Sequence, residues 1–124
     1  MKQNEFYDHI RSGGKIRRRS RPDEILTVIL HDSGSVVAVV GDRALGATRL
    51  INPSNWGFAD LPGGHMTDTE FDGLKIGDRV RYPYGENTET FTVVLNDGDW
   101  VVAVKGTETV EVVRLRNPGN LVRC

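Results

Sequence analysis

The chain of 124 residues has a single cysteine, Cys124, at its last position, so it has no internal disulfide and the expected setting is a reducing one. No apolar run approaches the roughly 18 residues needed to cross a bilayer, and the opening MKQNEFYDHI lacks the apolar core of a signal peptide. The expectation is a soluble, cytoplasmic protein with no membrane partner. His9, His31 and His65 are scattered, and no His/Cys/Asp spacing resembles a metal site. The serines have no nucleophile-elbow context and the glycines form no phosphate loop, so neither an enzyme nor a cofactor is expected. Asp32 and Asp97 recur as a pair, but both fall in turn sequences, where an aspartate bonds its own backbone. A net charge of −1 with 27% charged residues selects no particular partner.

What the chain does contain is a second copy of itself. Laid over Thr92–Leu121 at an offset of 65, the segment Thr27–Trp56 is identical at 14 of 30 positions, without a gap. The match extends towards the amino terminus at an offset of 64. There Ser12-Gly13-Gly14-Lys15-Ile16-Arg17 faces Ile76-Gly77-Asp78-Arg79-Val80-Arg81, once Tyr7 is counted as an insertion. Each unit of this size buries only about 60% of the surface its unfolded chain exposes, so each copy is expected to lean on its twin. The copies differ in charge: residues 1–65 hold nine Lys/Arg and seven Asp/Glu, and residues 66–124 hold seven and ten. The expected division is one domain at 1–57, a linker at 58–69 rich in Pro and Gly, and a second domain at 70–124.

Within each copy the pattern reads as all-β. An acidic-aromatic turn and a glycine turn precede a strand carrying Ile16 or Val80, and a loop of variable length follows. A valine-rich hairpin comes next, folded at His31-Asp32-Ser33-Gly34 or at Asn96-Asp97-Gly98-Asp99. A further strand lies in 45–51 or 110–116. There the shift of apolar parity between Val112 and Val113 predicts a bulge. Asn52-Pro53-Ser54-Asn55 and Asn117-Pro118-Gly119-Asn120 each predict a short 3₁₀ turn before a closing strand. Thr67-Asp68-Thr69-Glu70 fits a capping box and predicts at most one helical turn.

Gly77-Asp78-Arg79-Val80-Arg81, the Asn96-Asp97-Gly98 turn and Asn117-Pro118-Gly119-Asn120-Leu121, each with its counterpart in the first copy, resemble the SH3-like small β-barrels, including KOW and Tudor-type domains. The resemblance implies two tandem SH3-like five-stranded small barrels with short 3₁₀ turns. It does not fix the ligand, since such barrels bind peptides, methylated side chains or nucleic acids.

Two candidate sites follow from where the copies disagree. Tyr82, Tyr84 and Trp100 stand where the first copy has Arg18, Ser20 and Ser35. In an SH3-like barrel the first long loop and the start of the third strand line one groove. These aromatics, with Pro118, are therefore candidates for holding a protein partner or an extended peptide. The plainer alternative is that they cover the core. Lys15, Arg17, Arg18, Arg19 and Arg21 place five cations in seven residues, a candidate phosphate-binding strip for RNA or DNA or simply a solvated strand edge. The leading expectation is a non-catalytic binding protein with a protein partner, of the kind a small bacterial or phage accessory protein supplies. The alternatives are a nucleic-acid binder and an assembly component that forms a homo-oligomer through one barrel. Arg49 and Arg114, retained in both copies, are expected to be structural, bonding the Asn-Pro turns.

Overall fold

The structure, a computed structural model, describes residues 12–18, 20–32, 35–51, 53, 56–59, 66–81, 89–115 and 121–123, with the backbone alone at 18, 21, 22, 32, 35, 57 and 121–123. The described residues are predominantly β: ten strands and one short helix. The strands are β1 (Lys15–Arg18), β2 (Arg21–Asp32), β3 (Ser35–Val40), β4 (Ala47–Leu50), β5 (Gly57–Phe58), β6 (Arg79–Arg81), β7 (Thr90–Asn96), β8 (Val101–Lys105), β9 (Val112–Leu115) and β10 (Leu121–Arg123), with α1 (Asp68–Asp72) between β5 and β6. They form two antiparallel five-stranded sheets, ordered β10-β1-β2-β3-β9 and β4-β8-β7-β6-β5.

The sheets do not follow the repeat. The first takes three strands from the amino-terminal copy and its two outer strands, β9 and β10, from the carboxyl-terminal copy. The second is built the opposite way. The compact units are accordingly residues 1–45 with 110–124 (unit one) and residues 46–109 (unit two), rather than 1–57 and 70–124. The difference arises at two short segments, 41–46 and 106–111. Each carries the chain on into the other unit's sheet, where an ordinary hairpin would fold it back. Identical residue types at the two acceptor edges make either connection compatible with the repeat, which is why the repeat alone predicted the simpler one.

The exchange is reciprocal residue by residue. Val36, Val37, Ala38 and Val39 pair with Leu115, Arg114, Val113 and Val112. At the offset of 65, Val101, Val102, Ala103 and Val104 pair with Leu50, Arg49, Thr48 and Ala47. The flanking bonds repeat as well: Val40 N donates to Glu111 O at 3.0 Å, and Lys105 N to Gly46 O at 2.8 Å. On the far side, Arg17 pairs with Val122 in one sheet as Arg81 pairs with Gly57 in the other.

Matching bulges fall in β2 and β7, between Val28 and Leu30 and between Val93 and Leu95, and a further register shift falls between Ile16 and Arg18 where β1 meets β2. None lies in β9, which pairs with β3 in unbroken register. Its parity change needs no extra residue. Val113 and Leu115 join the core of unit one, while Val112 lies opposite Val39, which is itself fully buried.

Turn chemistry follows the residues. Gly13 and Gly77 hold φ of +89° and +97°, a region a side chain disfavours, at the entry to β1 and β6. There they close the same bond pair: Gly13 N to Val28 O at 2.7 Å and Gly77 N to Val93 O at 2.8 Å. Thr67 caps α1 in a full capping box, its Oγ1 accepting from Glu70 N at 3.2 Å while Glu70 Oε1 accepts from Thr67 N at 3.0 Å. Pro53 is in 3₁₀ conformation and its carbonyl accepts from Trp56 N at 3.1 Å. Residues 117–120 lie outside the described residues.

Each unit has its own core. Ile16, Leu26, Val28, Val36, Ala38 and Leu115 cluster in unit one. Their counterparts Val80, Phe91, Val93, Val101, Ala103 and Leu50 cluster in unit two, joined there by Trp56, Met66, Phe71 and Leu74. Trp56 and Phe91 meet edge to face, with ring centroids 5.5 Å apart at 88°. One buried polar group recurs: Thr27 Oγ1 donates to Gly41 O at 2.7 Å and Thr92 Oγ1 to Gly106 O at 2.6 Å.

Candidate functional site

The site that emerges lies in unit two, at the turn end of the β7–β8 hairpin. The hairpin turn is held by its own side chains. Asp97 Oδ1 accepts from Asp99 N at 3.1 Å and from Trp100 N at 2.8 Å, and Asn96 Oδ1 accepts from Gly98 N at 3.2 Å. Gly98 takes a φ of +92°, the angle that Asp-Gly turns use. Asn96 also reaches out of the hairpin, its Nδ2 donating to Leu74 O at 2.7 Å and to Asp72 O at 3.4 Å, which ties the turn to the end of α1.

The other wall is β4. Arg49 lays its guanidinium over the Trp100 ring, 3.8 Å from the centroid, and its Nη2 donates to Asp99 O at 3.2 Å. A cation over an indole face is worth about 0.5–2 kcal/mol, more as water is excluded. Between these walls opens a cleft of about 420 Å³. Its apolar lining comes from Leu50, Ile51, Phe71 and Val101, and its polar lining from Arg49, Asp72, Asn96 and Asp99. Ile51, 63% exposed, is the large apolar side chain that the cleft leaves to solvent.

Of the aromatic set expected from sequence, Tyr82, Tyr84 and Pro118 lie outside the described residues. Trp100 is 4% exposed and carries Arg49 on its face, so its position is that of a covered side chain, the plainer of the two readings. The retained Arg49 bonds the hairpin turn through Asp99. The pairing of Arg49 with Trp100 was not legible from the repeat alone, because β4 meets β8 only through the exchange. The signal present in the sequence was an arginine common to both copies beside a tryptophan found in one.

In unit one, Lys15 Nζ donates to Thr27 Oγ1 at 3.0 Å and pairs with Asp42. Arg17 is exposed on β1. Arg18 faces Arg21 across β1 and β2, and Arg19 lies outside the described residues. The strip is therefore partly neutralised at Lys15. His31 lies on β2, half-buried, and His9 and His65 lie outside the described residues. Among the described residues no three His, Cys, Asp or Glu side chains gather in a way that could hold a metal ion, and no helix is long and apolar enough to cross a membrane.

The exchange also sharpens the charge difference. Unit one holds eleven Lys/Arg against seven Asp/Glu, net +4, and unit two five against ten, net −5. Arg114, Arg116 and Arg123 of the second copy fall in the basic unit.

No family model matches the chain, and searches of curated proteins and of solved structures likewise found no match.

Proposed function

We propose that the chain is a non-catalytic binding protein made of two SH3-like five-stranded small barrels, and that it engages an extended segment of a protein partner through the cleft of unit two. The observation that carries this reading is the cleft itself. It offers an exposed apolar side chain, Ile51, beside hydrogen-bonding groups fixed by a bonded turn, the combination that seats an extended peptide. The barrel reading is supported by the order within each sheet, in which the closing strand lies beside the first strand of an antiparallel series. Selection from a random-peptide library tests the reading. Enriched peptides should shift the amide resonances of Arg49–Ile51 and Asn96–Asp99, and Ile51→Asp should weaken them at least tenfold while leaving the melting temperature unchanged. Peptides that bind the Ile51→Asp protein equally well would overturn the cleft as the site.

A second reading, nucleic-acid binding through unit one, is favoured by that unit's net charge of +4 and its exposed Arg17. Fluorescence anisotropy with mixed RNA and DNA should then give an affinity that falls with the logarithm of salt, and Arg17→Glu should flatten that slope. No binding below about 100 µM at low salt would exclude it.

A further inference from the structure

We infer that a second copy of this chain is a partner of this fold, able to supply the outer strands of either sheet by the same exchange that joins the two repeats within one molecule. The acceptor edges carry the argument. Val36-Val37-Ala38-Val39 on β3 and Val101-Val102-Ala103-Val104 on β8 are the same four residues, buried to the same degree, and each receives its fourth strand in the same register. The strands that arrive, Ala47-Thr48-Arg49-Leu50 and Val112-Val113-Arg114-Leu115, share the Arg-Leu pair that lies against the start of each acceptor strand. The linking segments 41–46 and 106–111 are equal in length, and each begins at a glycine with positive φ, Gly41 at +110° and Gly106 at +91°.

An edge strand pairs with whatever compatible strand reaches it, and here the edge residues do not distinguish between donors. What selects the donor is the tether. Within one chain the donor strand is held at an effective concentration on the order of millimolar, so a second chain competes only when folding occurs near that concentration. Exchange of an identical element between protomers is a low-cost route to dimers, because every bond made in trans duplicates one made in cis.

The test uses two full-length chains, one affinity-tagged and one untagged and isotope-labelled, both Cys124→Ser so that no disulfide joins them. Unfolded together in guanidinium and refolded at about 1 mM, the untagged chain should be captured with the tagged one, in a species of twice the chain mass. Joint refolding at about 1 µM should cut the captured fraction at least tenfold. Two results would overturn the inference. One is no capture after refolding at the higher concentration. The other is equal capture when the native proteins are mixed without unfolding, because contact between folded surfaces then accounts for the association.

Discussion

Units one and two share every described strand pairing, yet they are filled and charged differently. The six core positions common to both hold only aliphatic residues in unit one. Among the described residues the same frame in unit two carries Phe91 in place of Leu26. Unit one is net basic and unit two net acidic. The frame therefore depends on hydrogen-bond register and a Val-Val-Ala-Val edge, and it accepts either an aliphatic or an aromatic side chain at the position of Leu26 and Phe91. The cleft with its tied hairpin belongs to the variable part, where a binding site can diverge without disturbing the sheet.

The two units should differ most at the paired core positions. Phe91→Ala should cost about 3–5 kcal/mol in urea unfolding and Leu26→Ala about 2–5, with the larger loss in unit two because the edge-to-face contact with Trp56 goes too. Phe91→Leu, which gives unit two the residue of unit one, should lose about 0.5–1.5 kcal/mol if that contact is the main difference. Trp100→Ala, at a position where the first copy has serine, should destabilise by about 3–5 kcal/mol, as expected for a covered indole. A melting temperature that stays put would return Trp100 to the role of an accessible shelf.

Smaller effects sharpen the match between units. Thr27→Val and Thr92→Val each remove the hydroxyl that donates to a glycine carbonyl, and each should cost about 1–3 kcal/mol. Thr27→Val should be the worse of the two, since that hydroxyl also accepts from Lys15. Arg49→Met keeps the aliphatic stem and loses the charge over Trp100, for about 0.5–2 kcal/mol and a change in Trp fluorescence. Lys105→Ala breaks a 3.3 Å ion pair with Glu89 between exposed side chains, and thermal unfolding should register a change of roughly 0–1 kcal/mol.

Much of the local structure could be read from the residues. The Asn96–Asp99 turn, the capping box at Thr67 and the 3₁₀ residue at Pro53 are each governed by groups within four residues of one another, so their chemistry is written locally. The apolar face of β2 and β7 was equally plain. What the residues could not reveal was which fourth strand each sheet receives. Duplication makes Leu50 and Leu115 equally suited to Val36, and pattern cannot choose between equals. The cleft was hidden for the same reason, because its wall at Arg49 reaches Trp100 only through the exchanged connection. The expected bulge in 110–116 failed on different grounds: Val112 and Val113 are successive residues of a strand in unbroken register, so two adjacent valines marked no inserted residue.

The two repeats exchange their outer strands. Cross-strand nuclear Overhauser effects on the untouched protein test this exchange directly. The exchanged fold predicts backbone contacts between Ala38 and Val113 and between Ala103 and Thr48, the register partners in the two sheets. Contacts from Ala38 to Thr48 and from Ala103 to Val113 would mean that each repeat closes on itself, and would contradict the account.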